Sequence, residues 1–416
     1  LIHCEAPKEI ENHLIWSRAY YEKGSREILS AEEEAFKSLY AYVQLIRHGV
    51  TTAMPITSVY YKRWAETYEE IEAAAHHAGR LGLRVYLGPS YQSGMRVVNP
   101  DGTWEVLFNE DEGRRGLERA VRFVEEFDGA YDGRVCGVLV PERIECQTEE
   151  NLLVTRAAAD RLGCRVRLHA AQGSFEYGWI RNRHGLTPIQ YLDRLGFLGR
   201  TTLIPHVLYT QGYSEIHDDP VGDDVALLAR TGTTVIHCPL VYARSGAALE
   251  SFGRYRRAGV NMAMGTDTFP PDMLAAIRIG SIMARCVDRA REGNTYADFF
   301  EAATLGGARA LGRDDLGRIA AGARADMIVL DLDGLDVGTI DDPLRTIVNS
   351  GTSREVRHSI IDGRFVMRDR VIEGVDEAEL RDRAQAYYEK MRMGYWERSD
   401  GSLTPEQLFP GSFPEK

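Results

Sequence analysis

Three short runs in this chain end in side chains that can bind a metal ion or move a proton. Arg165-Val-Arg-Leu-His169 and Thr202-Leu-Ile-Pro-His206 each close on an imidazole, and Val260-Asn-Met-Ala-Met-Gly-Thr-Asp267 closes on a carboxylate. Each reads as a strand, being short, largely apolar and bounded by turn residues. Histidine nitrogen and carboxylate oxygen are the ligands a catalytic zinc or iron prefers. If the strands are parallel and alternate with helices, their ends share one face of a barrel, where such folds keep their active sites.

The elements needed to position those ends are legible from local signals. Ser30-Ala-Glu-Glu33 has the form of a capping box, and Phe36, Leu39, Tyr40, Val43 and Ile46 follow at helical spacing. Strands are expected at 50–54, 84–87, 135–140, 165–169, 202–207, 233–238 and 260–265. Helices are expected at 64–81, 114–126, 148–162, from Pro188 to near Gly196, 223–230, 247–257 and 298–311. That makes seven strands, each followed by a helix, whereas a closed barrel of this type has eight. The chain starts at Leu1 rather than methionine, and the missing strand is expected upstream of it. The expectation is therefore an α/β fold, a TIM-like (β/α)8 barrel over 1–312. Short strands near 325–331, 347–349, 356–361 and 365–367, with a turn at Asp362-Gly363, predict a small β-sandwich over 313–375. A C-terminal helix and tail fill 376–416. Gly306-Gly307 lacks a phosphate-loop context and marks close packing. Tyr60, Tyr61 and Trp64 are expected to pack the barrel rim.

The 416 residues are 44% hydrophobic and 27% charged, enough for a sizeable core. A net charge of −12 argues against nucleic acid and anionic membranes as partners, since both attract dense Lys and Arg. No apolar run reaches the roughly 20 residues that span a bilayer. Six scattered cysteines without a Cys-x-x-Cys pair suit reduced thiols in a cytoplasmic protein. Gly-x-Ser-x-Gly is absent, so a serine hydrolase is not supported.

Gly49-Val-Thr-Thr52, His169, His206, His237-Cys-Pro239, Gly265-Thr-Asp267, the run from Ala303 to Gly312 and the run from Gly317 to Asp326 occur in one order and spacing. Together they resemble the amidohydrolase superfamily, in particular the branch of cytosine and guanine deaminases, adenosylhomocysteine deaminase and triazine hydrolases. The resemblance covers nearly the whole chain. It implies that His169 is the metal ligand at the end of the family's fifth strand, and that Asp267 is the eighth-strand aspartate that ligates metal and takes a proton from the attacking water. His206 resembles the sixth-strand histidine, which orients that water or binds a second metal. His237 resembles the seventh-strand histidine near the substrate. One zinc or iron ion per chain, a small-molecule substrate and a homodimer are implied with them.

Three departures shape the reading. The family's first-strand His-x-His pair is absent from the chain, where His3 stands alone before Cys4 and Glu5, and the pair is expected upstream of Leu1. The fifth-strand signature His-x-x-Glu reads His169-Ala-Ala-Gln172, and an amide cannot deliver the proton that glutamate gives a ring nitrogen. The fourth-strand end carries Pro141-Glu-Arg-Ile-Glu145, where Arg143 could clamp a carboxylate or carbonyl. Gln172, Arg143 and His237 are thus the substrate-binding candidates. The favoured function is metal-dependent hydrolysis of a C–N bond in a small nitrogen heterocycle or cyclic amide. The alternative is a metal-free, catalytically impaired relative that binds a small ligand in the barrel mouth, and a two-metal hydrolase is a further option.

Overall fold

The structure is a computed structural model that describes residues 8–56, 62–217 and 221–413. His3, Tyr60 and Tyr61 lie outside them. Seven strands follow one another in chain order across a curled parallel sheet: β1 Thr52–Ala53, β2 Arg84–Leu87, β3 Val135–Pro141, β4 Arg165–Arg167, β5 Thr202–Pro205, β6 Thr234–His237 and β7 Met262–Met264. Ser90–Tyr91 adds a short pairing to the end of β3. All four residues of β2 and of β5 are buried, as expected of parallel strands covered on both faces. The fold is α/β and TIM-like. Among the described residues β1 and β7 are the two ends of the sheet.

Residues alternate between the faces of each strand. Val166, Ile204, Val235 and Met262 face outward into the main core, with Leu152, Ile189, Leu228, Phe252, Ile277 and Phe299 from the surrounding segments. Leu203 and Ala263 meet Ala310, Met54 and Ile236 in a separate apolar group. A third cluster joins the helices Ala31–Arg47 and Tyr68–Leu81 to an antiparallel sheet of β8 Met327–Leu330, β9 Val356–Ile361 and β10 Arg364–Met367. Capping boxes at Ser30 and Thr67 start those two helices. Asp362 (φ 50°) and Gly363 (φ 75°) make the β9–β10 turn in the left-handed conformation that a tight hairpin requires. No described helix is long and apolar enough to cross a membrane.

Two expectations are corrected. Residues 347–349, read as a strand, belong to the helix Pro343–Asn349, because Asp342 caps it by accepting from the Arg345 backbone N–H and Pro343 occupies its first turn. The segment after β2 does not pass directly to a helix. It forms a hairpin, Gly94–Val98 with Trp104–Phe108, to which Trp16–Ser17 adds a parallel strand. Its loop closes through Asn99 N–H to the Thr103 carbonyl (2.8 Å) and Gly102 at φ 81°.

Of the pair Gly306-Gly307, only Gly306 marks close packing, since a Cβ on Gly307 would meet nothing within 4 Å. A Cβ on Gly306 would lie 2.1 Å from the Met262 carbonyl oxygen of β7, an atom that cannot move aside without shifting the strand. Gly306→Ala is expected to cost roughly 1–3 kcal/mol as overpacking against backbone. An unchanged urea midpoint would contradict this.

Candidate active site

His169 lies two residues past β4, on the same side of the chain as Arg165 and Arg167. Its Nδ1 lies 2.7 Å from the carbonyl oxygen of Glu142. A carbonyl only accepts, so Nδ1 carries the proton and Nε2 keeps its lone pair. Backbone bonds from His169 N–H to the Glu142 carbonyl (3.1 Å) and from Ile144 N–H to the His169 carbonyl (3.0 Å) fix the residue against the segment that follows β3.

His206 follows β5 with φ 74°, Val207 has φ 51°, and Asp267, beyond β7, has φ 45°. Left-handed backbone at residues with a Cβ is uncommon and collects at sites where function requires it. It turns both side chains away from the regular strand alternation. The His206 Nε2 stands 3.5 Å from Asp267 Oδ2, and the His169 and His206 rings stack at 5.4 Å between centroids. Both nitrogens of the buried His206 ring lack a hydrogen-bond partner. Tyr242 meets that ring edge-on at 5.0 Å.

Electrostatics leave this group charge-poor on the imidazoles. Burial lowers His206 to a pKa of about 3 and holds His169 well below the ordinary range, with the Arg143 charge adding to both. Both rings are therefore neutral at pH 7, the form that ligates metals. Burial raises Asp267 to about 6, against the opposing pull of Arg143 and Arg167. Its side chain nevertheless keeps 26% of its surface accessible, so it is walled by protein while still open to a small molecule.

Arg143 and Gln172 meet each other. Arg143 Nη1 donates to Gln172 Oε1 at 2.5 Å, and the Arg143 backbone bridges to His169. His237 stands apart from that pair. Its ring lies among Phe252 (5.7 Å) and Phe299 (6.1 Å), Nδ1 is buried without a partner, and burial lowers its pKa to about 3. It lines a small cleft with Tyr242, Leu249 and Phe252. Tyr242 also donates to the Gln172 carbonyl at 3.4 Å, which connects the two groups.

Three neighbours escaped the sequence reading. Arg167 is buried and reaches from β4 to the Met54 (3.2 Å) and Pro55 (2.8 Å) carbonyls beyond β1. The period-2 pattern Arg165, Arg167, His169 was the available signal. Glu142 is buried with one unpartnered oxygen, and burial pushes its carboxyl up to about 7. Glu176 accepts from the Ala171 and Gln172 backbone N–H groups and is pushed up to about 8 by burial and by Glu145. Nothing local distinguished either glutamate from a surface one.

The donor types fit a divalent ion: an imidazole with its lone pair free, a second with two unsatisfied nitrogens, and a carboxylate 3.5 Å from it. The set is partial. Among the described residues no group of three or more His, Cys, Asp or Glu side chains is placed to hold a metal ion.

Residues 9–366 match the model of the amidohydrolase family. The 5-methylthioadenosine/S-adenosylhomocysteine deaminase of Haloarcula marismortui is 30% identical over 352 residues, covering 83% of this chain and 73% of that protein. The 5'-deoxyadenosine deaminase of Methanosarcina barkeri is 25% identical over 367 residues, 87% and 77% of the two. In fold, the chain is similar to a zinc-bound adenosine deaminase from Xanthomonas campestris, with a TM-score of 0.74 at 23% identity over 88% of this chain and 76% of that one. It is also similar to a mutant atrazine chlorohydrolase from Arthrobacter aurescens complexed with zinc and atraton, with a TM-score of 0.71 at 17% identity, covering 91% and 83%.

Proposed function

The chain belongs to the amidohydrolase family and is a hydrolase of carbon–nitrogen bonds other than peptide bonds, and on that premise we propose that His169, His206 and Asp267 are its catalytic centre. Its substrate is a small nitrogen heterocycle or cyclic amide. The observation that carries this reading is the meeting of these three side chains just beyond the carboxyl ends of β4, β5 and β7, with both His206 nitrogens buried and unsatisfied.

His169 Nε2 and Asp267 would supply two of the ligands of one divalent ion, with His206 beside them, and zinc is the ion found in the neighbouring structures. When bound, such an ion acts as a Lewis acid and brings the pKa of a water toward about 7. Asp267 accepts the proton of the attacking water at Oδ2, and its raised pKa makes it a better base at neutral pH than an ordinary aspartate. Neutral His206, 3.5 Å away, orients that water through Nε2. Arg143 and Gln172 bind the substrate's acceptor atoms from one side, and His237 with Tyr242 borders it on the other. Gln172 holds a substrate without protonating it, which favours an amide, an imide or an activated leaving group over a ring that must be protonated first.

A metal-free ligand-binding relative is the second reading, favoured by Gln172 and by the partial donor set. The two separate cleanly. Elemental analysis of the purified protein should find about one zinc or iron per chain, and chelation should abolish ammonia or amine release from a panel of heterocyclic amines and cyclic amides, with zinc restoring it. Protein that carries no metal and binds panel members without turning them over would establish the second reading instead.

A further inference from the structure

Three of the four polar groups of Gln172 are held by the protein. Its backbone N–H donates to Glu176 Oε2 at 2.9 Å, its carbonyl accepts from the Tyr242 hydroxyl at 3.4 Å, and its side-chain Oε1 accepts from Arg143 Nη1 at 2.5 Å. The residue before it is fixed as well. Ala171 has φ 55°, its N–H donates to Glu176, and its carbonyl accepts from the Leu208 (2.8 Å) and Tyr209 (2.9 Å) N–H groups beyond β5. Among the described residues only the Nε2 amino group of Gln172 is left without a partner, and the half-buried side chain leaves it accessible.

A guanidinium has donors and no acceptor, so the Gln172 amide must turn its oxygen toward Arg143, and its two N–H donors are then directed elsewhere. The flipped amide would set N–H against N–H and lose a charge-assisted hydrogen bond, the stronger kind. Arg143 is itself tied to the chain at His169 by a backbone bridge. The group that locks the amide and the amide it locks are therefore both built onto the segment that carries the proposed metal ligand. An amide free to turn would meet either an acceptor or a donor on a substrate. This one offers a donor alone.

We propose that Arg143 is a positioning residue, which fixes the polarity of Gln172 so that the site takes a substrate with a lone pair at that point and rejects one carrying an N–H there. Arg143 thus contributes to substrate binding through Gln172, by preorganising the donor before the ligand arrives. The inference deepens the proposed function and rests on it for where the substrate lies. It narrows the substrate class to heterocycles with an unprotonated ring nitrogen, or cyclic amides with a carbonyl oxygen, facing Gln172.

Calorimetry on the protein as purified tests this without any turnover, so a failure here is distinguishable from a failure of the catalytic reading. The probes are pairs in which one ring nitrogen is replaced by C–H: 7-azaindole with indole, 2-pyrimidinone with 2-pyridone, and quinazoline with isoquinoline. In at least one pair the aza member should bind the wild type about fivefold or more tightly, the scale of one hydrogen bond. Gln172→Leu should abolish that preference. Arg143→Met, which frees the amide to turn, should reduce it, whereas Arg143→Lys, which keeps a donor, should retain most of it. In the Gln172→Leu background, Arg143→Met should change the affinity for the aza member by no more than about twofold. Arg143→Gln, whose amide can both donate and accept, releases the polarity as well and serves if Arg143→Met fails to fold. Absence of an aza preference in every pair, undetectable binding included, overturns the proposal. So does a preference that survives Gln172→Leu, since a metal ion or another group then holds the nitrogen. A preference left intact by Arg143→Met, or a larger loss from it in the Gln172→Leu background, also overturns it, because Arg143 then does not act through Gln172.

Discussion

Asp267→Asn is expected to lower kcat by about 10²–10⁴-fold, the range ascribed to a positioned acid–base group, while the protein stays folded. Asparagine keeps the size of the side chain, but its amide accepts no proton from water. Stability should move the other way in the metal-free protein. A carboxyl raised to about 6 from 3.8 binds its proton more tightly in the folded state than in the unfolded one. Above that pH the folded state therefore pays for keeping the group ionised, and the neutral amide removes that penalty. Steady-state assays on the wild-type substrate and urea unfolding in the presence of a chelator measure the two effects. Retained kcat would take Asp267 out of the chemistry, and a collapse of the urea midpoint would make it a structural residue.

Arg84→Met is expected to cost about 3–5 kcal/mol, the range found when one partner of a buried ion pair is removed. Arg84 begins β2 with only 1% of its side chain exposed and donates to Asp326 Oδ2 (2.9 Å), Asp326 Oδ1 (3.1 Å) and Asp362 Oδ1 (2.9 Å). Asp326 and Asp362 flank β8 and β9, so this one side chain joins the barrel to the antiparallel sheet. Methionine fills the volume and leaves Asp326, itself 4% exposed, without its cation. Asp362 keeps Arg134 and Arg324 nearby and is less affected. The double variant Arg84→Met with Asp326→Asn should recover part of the loss, because no buried charge is then left uncompensated. Urea unfolding of the three proteins checks this, and a single variant within about 0.5 kcal/mol of wild type would show that the network contributes little.

Much of the scaffold was legible because its signals are local. Ser30 with a glutamate three residues on, Thr187 ahead of Pro188, and the buried run Arg84–Leu87 are each read over a single turn or strand, and the structure places those elements there, whereas the helix expected from Trp64 starts only at Tyr68, where Thr67 caps it. The helix Pro343–Asn349 was misread because Ile347 and Val348 suit a strand while Asp342 and Pro343, four and more residues earlier, determine the outcome. The hairpin at Gly94–Phe108 was missed although Pro100-Asp-Gly102 marks its turn, since its strands pack on Trp16 and Trp64, far away in sequence.

Sequence alone determined that the chain alternates strand and helix, that His169, His206 and Asp267 stand at strand ends, and which family those motifs resemble. Tertiary structure decided how the side chains face one another. The Arg143–Gln172 bond, the reach of Arg167 to the Met54 and Pro55 carbonyls, and the bond from Tyr242 to the Gln172 carbonyl are contacts between segments tens to more than a hundred residues apart. The physical reason is the range of the forces that select each feature. Caps, turns and side-chain periodicity are settled by neighbours within a few residues, whereas the orientation of a buried ring or guanidinium, and the pKa of a buried carboxyl, depend on the whole set of atoms that packing brings around it.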